Sequence, residues 1–154
     1  MKPFILLSSL IYSYSIAALA DSELQSIPMQ IENNHNFYVT STIEGAGFTS
    51  LLVDTGSGYS TITESTLREL QKSGNATYLR KLKGVMADGS VRKVSIYRIS
   101  AINIGERCQI RDIEVAVFPT GTRQILGLNT LRKVAPFTFS INPPSLTLNN
   151  CNQV

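Results

Sequence analysis

The stretch Leu51-Leu52-Val53-Asp54-Thr55-Gly56-Ser57-Gly58 places an acid, two hydroxyls and two glycines at the end of a fully apolar run. Asp and Gly after a strand ordinarily mark a turn. Here the acid follows a buried-type run directly, so it is partly desolvated and suited to proton transfer. Gly56 and Gly58 let the chain turn sharply and bring backbone N–H groups close to the carboxylate. A second apolar-apolar-Gly element, Ile125-Leu126-Gly127, follows about seventy residues later. The other reactive residues are few. His35 is the one histidine, and Cys108 and Cys151 are the two cysteines. A dedicated zinc site usually needs four N/S ligands, or three plus water, and a Ser-His-Asp or Cys-His nucleophile would have to use His35. Carboxylates, hydroxyls and backbone groups remain as the chemical equipment.

Three elements in order, Asp54-Thr55-Gly56-Ser57, Ala87-Asp88-Gly89-Ser90 and Ile125-Leu126-Gly127, together with Leu131, Phe137–Ile141 and Leu146–Leu148, resemble the single-domain, retroviral-type (retropepsin-like) aspartic proteases. The likeness is closer to exported or cellular bacterial-type members than to viral enzymes, and runs from about Phe37 to Leu148. It implies a mainly β, closed barrel-like domain with one or two short helices that works as a homodimer. It also implies an endopeptidase acting on peptide or protein substrates, with no metal and no organic cofactor. By the family pattern Asp54 is catalytic, and Thr55 bonds across the dimer. Gly56 brings its N–H to the carboxylates, Ser57 donates to the outer oxygen of Asp54, and Gly127 packs close to the catalytic loop. Ala87, Asp88, Gly89 and Ser90 form the tip of a flap. A folded relative that has lost proteolysis and only binds peptide is the competing reading.

A count of acids bears on the same point independently. The mechanism needs two carboxylates a few ångströms apart sharing one proton. After residue 20 the chain has four aspartates, Asp21, Asp54, Asp88 and Asp112, and only Asp54 stands in an Asp-Thr-Gly context. One chain therefore brings half a site, and the second Asp54 has to come from another copy across a two-fold axis.

The elements that would hold these residues read mostly as strands. Phe37 to Ile43 alternates, Gly45-Ala46-Gly47 is a turn, and Phe48 to Val53 is the next strand. Gly84 to Ile99 reads as two strands around Asp88-Gly89. Ile113 to Val117, Phe137 to Ile141 and Leu146 to Leu148 follow, with Asn142-Pro143-Pro144 as a turn. A helix capped by Thr63 runs to about Lys72, and a short helical turn follows Gly127. With 154 residues, 43% hydrophobic and 16% charged, the chain suits one domain, over 37–154, and is too apolar and too weakly charged for disorder. Residues 21–36 carry no assignable role.

Lys2, the uncharged run Phe4 to Ala20 and the box Ala18-Leu19-Ala20 match a secretory signal peptide over 1–20, cut before Asp21. A membrane is a partner only if this segment is kept as an anchor. Export to a periplasmic or extracellular compartment would expose the cysteines to oxidation, and within one chain Cys108 can pair only with Cys151. The net charge is +3, and residues 68 to 111 hold ten Lys and Arg against Glu69, Asp88 and Glu106. Such a patch reads first as a solvated, edge-protecting face, and second as a preference for acidic peptides or an anionic surface. Nothing in it has the aromatic interleaving of a nucleic-acid binder, so no nucleic-acid partner is expected.

Overall fold

The computed structural model describes residues 24–33 and 35–151; the expected leader over 1–20 lies outside them. Eleven strands and two short helices follow in chain order. They are β1 (Gln25–Pro28), β2 (Gln30–Glu32), β3 (Asn36–Ile43), β4 (Gly47–Val53), β5 (Ser60–Thr63), α1 (Glu64–Lys72), β6 (Ala76–Val85) and β7 (Val91–Ile104). Then come β8 (Cys108–Phe118), β9 (Ile125–Leu126), α2 (Leu128–Leu131), β10 (Thr138–Ile141) and β11 (Pro144–Leu148). A 3-10 turn, Arg132–Val134, continues α2.

The larger sheet has the order β2-β3-β4-β9-β5-β8-β7-β6. One edge of β3 is shared, with β2 pairing along its first half and β7 along Ser41–Ile43. The β3–β7 pairing closes β3, β4, β9, β5, β8 and β7 into a ring, so the mainly β, barrel-like expectation holds. Closure removes the edges that an open sheet would expose. Inside lie fully buried side chains such as Val39, Ile43, Leu51, Ile62, Ile113 and Leu126. The apolar run that ends β4 pairs in parallel with the equally apolar β9, Leu52 beside Ile125 and Val53 beside Leu126. Parallel strands are covered on both faces, which is why these segments read as continuous rather than alternating hydrophobics.

Helix α1 starts where expected. Thr63 Oγ1 accepts from the Thr66 N–H at 3.2 Å, which satisfies one of the four free donors of the first turn. Its buried Leu70 seals one side of the barrel, and Gly74, at φ +73°, lets the chain leave the helix. The hairpin β6–β7 extends beyond the ring as a two-stranded arm. At its tip Gly89 N–H donates to Met86 O at 2.9 Å and Met86 N–H to Ser90 O at 2.8 Å. Gly89 has φ +79°, the left-handed residue that lets a type I turn rejoin the strands.

A second, three-stranded sheet has the order β1-β11-β10. The N-terminal segment thus gains a place, with β1 pairing along β11 from Gln25 beside Leu148 to Pro28 beside Ser145. Ile27, Leu146 and Leu148 are buried against the barrel. The alternation expected from Phe137 to Ile141 does not appear as alternating burial, since Thr138, Phe139 and Ile141 are all exposed; Phe139 meets Phe37 edge-on, with ring centroids 5.0 Å apart. Cys108, at the start of β8, and Cys151, just past β11, form a disulfide.

Candidate active site

Asp54 stands at the end of β4, half-buried, where its backbone N–H donates to Leu126 O of β9 at 3.2 Å. The chain then turns back on itself, with Ser57 N–H reaching Asp54 O at 3.3 Å and Gly56 N–H reaching Asp54 Oδ1 at 2.9 Å. A Cβ on Gly56 would sit 3.2 Å from that same oxygen, so glycine is what lets the amide come in. Thr55, at the apex, is exposed, and its hydroxyl has no partner among the described residues. Ser57 differs from its family expectation: its Oγ donates to Tyr59 O at 2.7 Å and bends the loop rather than touching Asp54.

The segment from Gly127 to Thr130 supports this loop from below. A Cβ on Gly127 would fall 2.3 Å from both the carbonyl carbon and oxygen of Tyr59. No backbone contact tolerates that, so this close packing needs glycine. Leu128 N–H donates to Ser57 O at 2.8 Å and Asn129 N–H to Gly58 O at 3.3 Å. The Asn129 amide serves two strands at once, accepting from Ser60 N–H and donating to Glu114 O, each at 2.7 Å. Ser60 Oγ accepts from Gly127 N–H at 2.9 Å and lies 2.6 Å from Thr130 Oγ1. Ser60 and Thr130 are fully buried, so each hydroxyl needs the other. Sequence reasoning did not find Ser60, Asn129 or Thr130. Only the Asn-Thr pair two residues after Gly127 could have hinted at them.

Beside the loop Arg80 forms a two-point ion pair with Glu114, at 3.2 Å and 2.5 Å, and donates to Tyr59 Oη at 3.2 Å. The guanidinium holds the Glu114 carboxyl below the usual carboxylate range, while Glu114 and Tyr59 push Arg80 further up. The register of β6 on β7 slips between Tyr78 and Arg80, a bulge that re-aims the strand at this point. These residues too were not anticipated.

A cleft of about 520 Å³ opens over Asp54. The flap supplies Gly84, Val85, Met86, Ala87 and Val94; the opposite wall has Phe118, Thr122, Arg123 and Ile125. Asp54 is the only acid lining it among the described residues. Asp88, at the exposed flap tip, does not line it; Ser90, whose hydroxyl and N–H face the carboxyl, and Arg92 hold Asp88 below the usual range. Asp112 is exposed on β8, also outside the cleft. A larger hollow of about 630 Å³ lies between β1, β3 and the β7–β8 turn, away from Asp54, and Glu106 is its one acid.

The model of the family described as "gag-polyprotein putative aspartyl protease" matches residues 39–133. That span includes the Asp54 loop, the flap and the Gly127 support. A retropepsin-like aspartic protease from Rickettsia conorii is similar in structure, with a TM-score of 0.58 and 19% sequence identity, over 84% of this chain and 93% of that one. No curated protein matches in sequence. With the acid, the turn, the supporting glycine and the flap in the order the family shares, the chain belongs to the retropepsin-like aspartyl proteases.

Proposed function

We propose that the protein is an exported aspartic endopeptidase that becomes active as a homodimer, with one Asp54 from each copy. The observation that carries this is the single acid in the cleft, in a family whose chemistry uses two. A lone carboxylate can take a proton from water, but it cannot at the same time donate to the scissile carbonyl. With two, the ionised Asp54 accepts a proton from the attacking water, and the protonated one hydrogen-bonds the carbonyl oxygen as charge develops there. Collapse of the tetrahedral intermediate returns a proton to the leaving amine. The exposed Thr55 hydroxyl, without a partner among the described residues, would brace the opposing loop of the dimer. The flap hairpin closes over bound peptide and excludes water.

Export is part of the proposal, resting on the leader-like residues 1–20 and supported by a disulfide suited to an oxidising compartment. Digestion of an unbiased peptide library by the wild type and by Asp54→Asn tests the chemistry. Cleavage that disappears in Asp54→Asn is expected, and cleavage that survives would sink the paired-carboxylate mechanism. A peptide-binding module without activity would bind library members and cut none. The purified exported chain is expected to begin at Asp21.

A further inference from the structure

Among the described residues Arg123 is the only cation lining the cleft over Asp54, and we infer that it selects substrates with an acidic side chain close to the scissile bond. This rests on the proteolytic reading above and adds a substrate class to it.

Arg123 lies two residues before β9, exposed at the cleft. Arg123 and Ile125 both line the cleft, while Gln124 between them points the other way, its Oε1 accepting from Thr66 Oγ1 at 2.9 Å and its Nε2 donating to Thr49 Oγ1. The backbone on either side is tied down. Thr61 Oγ1 donates to Arg123 O at 3.3 Å, Leu52 N–H to Gln124 O at 3.0 Å, and Thr122 closes the preceding turn through its N–H and hydroxyl onto Pro119 O. A positioned base of attachment lowers the entropy lost when a long side chain is recruited by a ligand.

The charge is also unanswered. The ion pairs among the described residues are Lys72–Glu69 and Arg80–Glu114, and neither involves Arg123. Its guanidinium is exposed to the cleft solvent, ready to exchange water for a carboxylate in two-point geometry. A second arginine takes the same side of the arm by register, because Arg92 pairs with Gly84, which lines the cleft. Arg92, however, lies in the field of Asp88, so its charge is partly answered within the chain. The surrounding walls are apolar, with Val85, Val94, Phe118 and Ile125, which strengthens a charge pair formed between them. In a two-fold dimer Arg123 occurs twice, so acidic residues are favoured on both sides of the cleaved bond.

The test uses two degenerate octapeptide pools, identical except that one fixed central position is Glu in one and Gln in the other. For the wild type, kcat/KM on the Glu pool is expected to exceed that on the Gln pool about tenfold at low salt, and the ratio to shrink as salt is raised. Arg123→Met should bring the ratio to about one, and Arg123→Glu should favour a matching Lys pool. Because each ratio is taken within one protein, a variant that folds less well is still judged fairly. A wild-type ratio near one, a ratio unchanged in Arg123→Met, or a collapse produced by Arg92→Met instead would overturn the assignment. If no pool is cut at all, the proteolytic reading fails, and the charge preference is decided by fluorescence-polarisation binding of the same pools. Tighter binding of the Glu pool to Asp54→Asn, lost when Arg123→Met is added, upholds it; equal binding of both pools ends it.

Discussion

At Gly127 an added methyl group would have to share space with the Tyr59 carbonyl, 2.3 Å away on the backbone. Backbone cannot yield as a flexible side chain can, so Gly127→Ala is expected to cost about 1–3 kcal/mol, read as a lowered Tm. It should also shift the catalytic loop, and a displacement of about 1 Å near the chemistry can reduce kcat by about a hundredfold. Asp54→Asn is the opposite kind of change. It keeps the size and the contact with Gly56 N–H, so the fold is expected to survive while hydrolysis drops to background. Both residues were legible in the sequence, because a strand running into Asp-Thr-Gly and a second strand running into glycine are local patterns. Ser57 was misjudged, since its two candidate acceptors, Asp54 Oδ and Tyr59 O, differ only by the path of the loop.

Among the elements, the loop over Asp54 rests on β9 and α2 through Asn129, and its Tyr59 edge rests on β6 and β8 through Arg80 and Glu114. Asn129→Asp keeps the acceptor for Ser60 N–H but turns the donor to Glu114 O into a second oxygen. Stability is expected to fall by about 1–3 kcal/mol in denaturant titration, with kcat falling alongside. The Arg80–Glu114 pair gives a pH signature. Because Arg80 holds the Glu114 carboxyl below its ordinary value of 4.5, the stability it adds is full above that pH and is lost as pH falls through the lowered value. Both side chains are about a third or more exposed, 42% and 31%, so solvent screening keeps the contribution small. Urea melts of the wild type and Glu114→Gln should differ above about pH 5 and converge in more acid buffer. Among the strands that escaped sequence reading is β5, Ser60-Thr61-Ile62-Thr63, buried at all four positions. Its hydroxyls look like loop chemistry until partners far along the chain, Gly127, Thr130 and the Arg123 carbonyl, are supplied. The helix that follows was legible because its cap is three residues away.

For the whole molecule, the ring of six strands buries the core and the smaller sheet ties β1 to the closing strands β11 and β10. That tie had no local signature: within the segment 21–36, β1 gains a place by pairing with β11 and β2 by pairing with β3. Cys108–Cys151 closes a sequence separation of 43 residues over the same region. Its removal, as Cys108→Ser with Cys151→Ser, is expected to cost about 2–4 kcal/mol in a denaturant melt. The proposed dimer makes activity a function of concentration. Rate per chain should fall once the protein is diluted to where sedimentation finds monomers, and excess Asp54→Asn should poison the wild type through mixed dimers. A rate per chain that stays constant well into the monomer range would return the second acid to the same chain.

The two-residue strand β9 lies between β4 and β5, so the carboxylate loop is held by a segment about seventy residues further along the chain. A ribosome delivers residues in order, and contacts of this separation form late. While the nascent chain ends short of Ile125, β4 and β5 have no strand to join them, and Asp54 sits on an unsupported turn. On the proposed function, synthesis therefore acts as a timer: a product stalled before Ile125 is expected to be proteolytically silent, and cutting ability to arrive only once β9 and α2 have been made.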